Sequence, residues 1–330
     1  MLDKLEMLLC LAAERHFGRA ALAAGVTQPT LSSAVKTLEE QFGVLIVARG
    51  ARFQGFTPEG ERILHWARRL VADARSMRQE IRAASEGLSG QLRLAVVPTA
   101  LPFVGELTLP LCRRHARLGF SILSMPADQI LTAVEQFSVD AGIAYVQGPL
   151  PARLMAIPLY EERHGLLLDE ALLATHLAER ENPARSGWSA ARASAPPAFV
   201  SWAQVARLPL CLLSSDMRYR RLVDARLATI PGAAAPRVET NALTVLDTHV
   251  ASGLFATLLP VRHARALAGQ RPGGTRLIAI PLEEDGPGHQ IGLVVPRRDP
   301  LPAAVAALAE AARRWPATGI DARGEAPVPA

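Results

Sequence analysis

Residues Gly18–Gly43 read GRAALAAGVTQPTLSSAVKTLEEQFG. Ala20, Ala21 and Ala24 recur on one small helical face, Leu31, Val35, Leu38 and Phe42 on a second, and Gly25-Val26 separates them. Two helical faces broken by a short glycine turn have the spacing of a helix-turn-helix. Gly25 suits the left-handed backbone of such a turn, Thr27 is placed to cap the second helix, and Pro29 is tolerated in its first turn. With the apolar side inward, the second helix presents Gln28, Thr30, Ser32, Ser33 and Lys36. These are short hydrogen-bonding groups plus one cation, suited to base edges and phosphates in a major groove. A helical hairpin with a merely solvated polar face has the same periodicity, so the flanking sequence must separate the two.

Downstream, VLIVARGARFQGFTP (44–58) gives two short extended runs around a glycine-containing turn, with Arg49 and Arg52 at its tip. That is the expectation for a wing riding on the phosphate backbone. Pro58 fits the first turn of a long helix. From Ile63, residues Ala67, Leu70, Ala74, Met77, Ile81, Ala84 and Leu88 follow at alternating spacings of four and three, a heptad seam with charge on the other faces. Packing on its own domain would need a similar stripe, but the spacing is read as a two-helix dimer contact, with Ala67 and Ala74 allowing close approach. Gly87 and Gly90 end the helix and supply a hinge.

Bulk properties narrow the class. The 330 residues are 49% hydrophobic and 20% charged, which excludes a mainly disordered chain. No apolar run reaches the ~20 residues of a membrane helix, and Asp3 and Glu6 interrupt what would otherwise read as a signal peptide, so a cytoplasmic location without a membrane partner is expected. Cys10, Cys112 and Cys211 are odd in number and widely spaced, which points to structural thiols rather than a disulfide framework or zinc site. The net charge is +5, yet residues 1–52 hold six basic groups against five acidic ones, so placement rather than net charge argues for DNA. No Gly-rich phosphate loop, nucleophile elbow or His/Cys cluster is present, so no enzyme, metal or cofactor is expected.

From Gln91, apolar runs alternate with helical stretches: QLRLAVV, a helical span to about His115, FSIL, ADQILTAVEQF and AGIAYV, then PLCLL, a helix from about Asp216 to Leu227, a helix after Asn241, and FATLLP. This predicts βα units around a mainly parallel sheet, in two similar lobes. Residues 177–197, rich in Ala, Ser, Arg and Pro, read as a mobile loop, and the tail after Trp315 carries no pattern.

The N-terminal residues resemble the LysR-type transcriptional regulators. The resemblance covers Ala12-Ala13, His16-Phe17, Arg19-Ala20-Ala21, Val26-Thr27-Gln28-Pro29, Leu31-Ser32, Val35, Leu38-Glu39, Gly43-Val44, Arg49 and Thr57-Pro58-Glu59-Gly60. It continues through Leu94-Ala95-Val96, Asp140-Ala141-Gly142-Ile143, Pro158-Leu159-Tyr160 and Val250-Ala251-Ser252-Gly253-Leu254. It implies an α/β protein with an N-terminal all-α winged helix-turn-helix (1–58), a linker and dimerisation helix (59–87), and a two-lobed, periplasmic-binding-protein-like (type 2) effector domain (88–330). Lobe I would span about 88–160 and 264–330, and lobe II about 161–263. By the same resemblance, Gln28, Pro29, Thr30, Ser32, Ser33 and Lys36 lie in the groove and Arg49 and Arg52 belong to the DNA contacts of the wing. The implied partners are double-stranded promoter DNA, a small-molecule effector, a second copy through the linker helix with pairing into a homotetramer, and RNA polymerase.

In α/β lobes, ligands bind at the carboxyl ends of strands, where helix N-termini offer N–H donors. Thr99, Ser124, Ser215 and Asn241 stand at such ends, although each also suits a helix cap. PTALPFV, PLYEERHGLLL and LCLLSSDMRYRRLVD look most like LysR-type regulators beside formate dehydrogenase operons, which implies formate or another small oxyanion as effector. The sequence departs from that pattern after Ser124, where Met125, Pro126, Ala127 and Asp128 stand in place of hydroxyl-bearing residues. The competing assignment is a solute-binding protein of the periplasmic-binding type without DNA function, and the well-formed helix-turn-helix counts against it.

Overall fold

Three helices, α1 (Leu2–Glu14), α2 (Phe17–Ala23) and α3 (Gln28–Phe42), open a computed structural model that describes residues 1–48, 50, 53–178, 197–271, 274–283 and 287–315. Their ends are fixed locally. His16 Nδ1 accepts from the backbone N–H of Gly18 (3.1 Å) and Arg19 (3.3 Å), Gly25 turns the chain at φ 66°, Thr27 Oγ1 accepts from Thr30 N–H (3.4 Å), and Gly43 closes α3 at φ 69°. Leu5, Leu8, Leu11, Ala20, Ala21, Leu31, Val35 and Leu38 form the core between them. An antiparallel bridge, Val47 to Phe56, makes the base of the wing, and Phe53 meets Phe17 and Phe56 edge-on at 6.3 and 5.2 Å. Arg49 and Arg52 lie outside the described residues.

The linker helix α4 (Pro58–Glu86) is capped by Thr57, whose Oγ1 accepts from Gly60 N–H at 2.9 Å and donates to Leu45 O at 2.5 Å. Its first turns correct the expected seam. Ala67 is 1% exposed and packs with Leu64 and Val71 into the N-terminal core, with Ile63 beside it, so these residues cannot also receive a partner helix. Trp66, Leu70, Met77 and Ile81 are exposed instead, and this stripe carries the heptad pattern outward.

Gly87 and Gly90, both at positive φ, lead into β1 (Ser89–Val96). The first sheet has the order β2-β1-β3-β11-β4, with β2 (Arg117–Ser124), β3 (Ala141–Tyr145), β4 (Leu154–Glu162) and β11 (His289–Pro296). β1 runs parallel to β2 and β3, while β11 runs antiparallel to β3 and β4. A 3-10 turn (Pro98–Phe103), α5 (Val104–Arg114), α6 (Ala127–Glu135) and α12 (Ala303–Arg313) belong with it. The second sheet has the order β8-β5-β10-β9, with β5 (His164–Asp169), β8 (Thr257–Pro260), β9 (Gly269–Gln270) and β10 (Arg276–Pro281), all neighbours antiparallel. The parallel pair β6 (Cys211–Leu213) and β7 (Val238–Thr240) joins it through a Leu210–Ala256 bridge. Its helices are α7 (Glu170–Ala178), α8 (Trp202–Val205), α9 (Arg218–Leu227), α10 (Leu243–Ala251) and α11 (Val261–Leu267).

Two expectations change. The sheets are mixed rather than mainly parallel, because β4, β5, β10 and β11 carry the chain between them in strands that the βα alternation does not register. The chain returns to the first sheet only after β10, so Gly269–Gln270 and Arg276–Pro281, expected in lobe I, pair within the second sheet. Of the loop expected at about 177–197, Leu177 and Ala178 end α7 and residues 179–196 lie outside the described residues, as does the tail from 316. Among the described residues, no helix is long and apolar enough to cross a membrane.

Candidate functional sites

On α3, Gln28, Pro29, Thr30, Ser32, Ser33 and Lys36 are all exposed, opposite the buried Leu31, Val35 and Leu38. Positions 28, 32 and 36 recur every fourth residue and so lie along one stripe. Lys36 Nζ is 3.8 Å from Glu40 Oε1, a loose surface pair that a phosphate can displace. Thr30 Oγ1 lies 2.8 Å from Thr27 Oγ1, so its hydroxyl also serves the cap. A Cβ added at Gly18 would stand 3.2 Å from the His16 ring and 3.4 Å from Gln28 Oε1, so a bare backbone there lets α2 approach the start of α3.

The second site lies between the sheets. β1, β3 and β4 point the same way, so Thr99, Tyr145 and Glu162 collect at one edge, where Arg163 carries the chain to β5. Tyr145 OH donates to Glu162 Oε2 at 2.6 Å, Tyr160 OH to Oε1 at 3.4 Å, and Thr99 Oγ1 is 3.3 Å from Tyr145 OH. Glu162 is 2% exposed, and burial pushes its carboxyl up to about 7 against the opposing pull of these hydroxyls and Arg262. Arg262 donates to both oxygens of Glu106 (2.5 and 2.7 Å), with its guanidinium over Phe103 at 4.1 Å and Tyr160 at 5.2 Å. Across the crossover, His164 Nδ1 is 3.0 Å from Tyr219 OH, and its ring stands 5.1 Å from Trp202 and 5.4 Å from His289. Burial lowers His164 to about 3 and His263 to about 4, and lowers His289 as well. Trp202 Nε1, Ser214 Oγ and His263 Nδ1 are buried without a hydrogen-bond partner.

Of the four effector candidates read from the sequence, Thr99 is buried inside this cluster, whereas Ser124, Ser215 and Asn241 are exposed. Ser124 ends β2 beside Val96, and the Ser214 N–H to Thr240 O bond (2.9 Å) sets Ser215 and Asn241 at adjoining strand ends. Asp128 of α6 pairs with Arg221 of α9 at 3.2 Å, joining the helices of the two sheets. Sequence reading missed Tyr145, Tyr160, Glu162, His164 and Tyr219. The available signal was PLYEERHGLLL, where Glu162 and His164 alternate with Glu161 and Arg163 between two apolar runs, so that one alternate set of ionisable residues is turned inward; such residues need partners. Among the described residues, no group of three or more His, Cys, Asp or Glu is placed to hold a metal ion.

A helix-turn-helix joined by a long helix to a two-sheet α/β unit defines a DNA-binding regulator with a sensing domain. Residues 2–61 match the bacterial regulatory helix-turn-helix protein, lysR family, and residues 85–317 match the LysR substrate binding domain. The chain belongs to the LysR family of DNA-binding transcriptional regulators and is not an enzyme. It is 29% identical over 297 residues to a probable hydrogen peroxide-inducible genes activator of Streptomyces viridosporus, covering 89% of this chain and 87% of that protein. A protein of the same description from Mycobacterium xenopi is 35% identical over 161 residues, 48% of this chain and 83% of the relative. Among solved structures, full-length OxyR from Pseudomonas aeruginosa superposes with a TM-score of 0.68 at 25% identity, covering 96% of this chain and 99% of that one. CbnR complexed with its target DNA shares the fold at a TM-score of 0.62 and 16% identity, with 96% and 99% covered.

Proposed function

We propose that this chain, acting in the cytoplasm, reads promoter DNA as a dimer through α3 and the wing, and that a small molecule held between its two sheets controls its action there on RNA polymerase. In this reading residues 1–58 bind DNA, 59–87 dimerise and lead to a homotetramer, and the remainder senses the effector. The observation that carries it is the exposed polar stripe of Gln28, Ser32 and Lys36 opposite a buried apolar one. Gln28 reads a base edge, while Arg49 and Arg52 hold phosphates. Gln28→Ala should therefore reduce discrimination between operator and random DNA, whereas Arg52→Ala should weaken both alike and lower the salt slope by about one. Titrations on both DNAs across a salt series test this; equal losses on specific and random DNA for both variants overturn the division.

For the effector, Thr99 is the nearest candidate, with Ser124, Ser215 and Asn241 at the neighbouring strand ends. Formate or another small oxyanion remains the competing occupant. The relatives' names point to hydrogen peroxide, but a thiol attacks peroxide as its thiolate. Burial pushes Cys211 up to about 11, and burial with Glu6 and Glu14 raises Cys10. For Cys10 and Cys211 the supported reading is therefore non-covalent binding, and peroxide should leave operator affinity unchanged both in the wild type and in Cys112→Ser, which removes the one exposed thiol among the described residues.

A further inference from the structure

We propose that Glu162 sets the charge class of the effector: the cleft accepts a molecule that presents N–H donors to this carboxylate, of amide or amidine type, and turns away a free carboxylate. The inference rests on the between-sheet reading above. Glu162 Oε2 has a strong donor in Tyr145 at 2.6 Å, whereas Oε1 has the long 3.4 Å contact from Tyr160, with the Thr99 hydroxyl also acting on the carboxyl group. A carboxylate oxygen accepts more than one bond, so Oε1 retains acceptor capacity. Among the described residues beside Glu162, Arg163 pairs with Glu161 at 3.0 Å, while Arg218 and Arg226 act on His164 and His289 across the crossover. Arg262 is held by both oxygens of Glu106 and stacked on Phe103, and burial keeps His164 and His263 neutral.

A carboxylate placed beside Thr99 would face Glu162 in a poorly screened setting, where like charges repel strongly. An amide or amidinium of the same shape would instead complete the bonding of Oε1. The opposite side offers a match for an acceptor, because Trp202, edge-on to His164, has a buried indole N–H without a partner.

Isosteric triads test this directly: formate, formamide and formamidinium; acetate, acetamide and acetamidinium; benzoate, benzamide and benzamidinium. Shape stays nearly constant within a triad while charge runs from negative through neutral to positive. Calorimetry at pH 8 on the full-length protein should show, for at least one triad, the amide or amidinium binding at least about tenfold more tightly than its own carboxylate. Glu162→Gln should cut the amidinium affinity by about tenfold and narrow that gap. Tyr145→Phe, which keeps the carboxylate and removes its internal donor, should preserve the preference, and cooperative melting of each variant serves as the folding control. A carboxylate that outbinds its amide in the wild type, and loses affinity in Thr99→Val, overturns the inference while the cleft stands. Binding that neither Glu162→Gln nor Thr99→Val alters lies elsewhere and overturns both, as does binding of none of the nine.

Discussion

At Gly60 the missing side chain is what lets the wing rest on the linker helix. A Cβ built there would lie 2.1 Å from the Ile46 carbonyl oxygen, while Glu39 Oε1 accepts from the N–H groups of Ile46 (2.7 Å) and Val47 (3.1 Å) and holds that segment to α3. Backbone cannot give way as a flexible side chain would, so Gly60→Ala should destabilise the N-terminal unit by about 1–3 kcal/mol. Thermal melting checks this, and an unchanged Tm would show that the segment adapts. Caps and turns of this kind are legible in sequence because their partners are neighbours: Thr27 caps a residue three places on, and Gly25 turns on its own φ. Glu162 is the opposite case. Its hydroxyl partners come from Tyr145 and Tyr160, with Thr99 behind them, on three separate segments of the chain. The apolar run around it signals burial, but of these partners only Tyr160 is local.

Along α4 the period was readable, but its two uses were not. Two neighbouring faces divide the work: Leu64, Ala67 and Val71 close the N-terminal core, while Leu70, Met77 and Ile81 stay exposed. The spacing is the same whether the facing surface belongs to the same chain or to a second copy. Substitution separates the roles. Leu70→Asp or Ile81→Asp should yield folded monomers with poor operator affinity, because a charge then faces its own copy across an apolar seam. Ala67→Asp should instead lower the melting temperature of the N-terminal unit, since it buries a charge without a partner. Sedimentation and melting distinguish the outcomes, and an unchanged dimer in both seam variants would remove α4 as the contact. The strands show a similar division. β1, β2 and β3 follow the alternation expected of βα units, whereas β4 and β5 enter without a helix between them and lie antiparallel to their neighbours, so the βα rule has no purchase on them.

Beyond the N-terminal helices and α4, the chain passes between two sheets at Arg163, with buried ionisable groups next to that crossing. Ion pairs tie its parts together: Asp128 to Arg221 and Glu106 to Arg262 near the cleft, and Asp73 of α4 to Arg298 at 2.7 Å. The buried groups give stability a definite pH dependence. Glu162 is raised from 4.5 to about 7, so the folded state holds this proton more tightly than the unfolded chain. Its contribution is fully present below about pH 4.5 and is lost as pH rises through about 7. His164 and His263 act in the other direction: lowered from 6.5 to about 3 and about 4, they contribute stability above about pH 6.5 that is lost as pH falls through those values. The groups facing Glu162 are the Tyr145 and Tyr160 phenols, both raised further by burial, the Thr99 hydroxyl, and the Arg262–Glu106 pair. Glu162→Gln keeps the shape and removes the titration. The Tm of the variant minus that of the wild type should therefore grow more positive from about pH 5 to about pH 8, while the acid limb set by the histidines stays in both proteins. Parallel melting curves across that window would mean that Glu162 titrates alike folded and unfolded, and that the hydroxyls around it fully offset its burial.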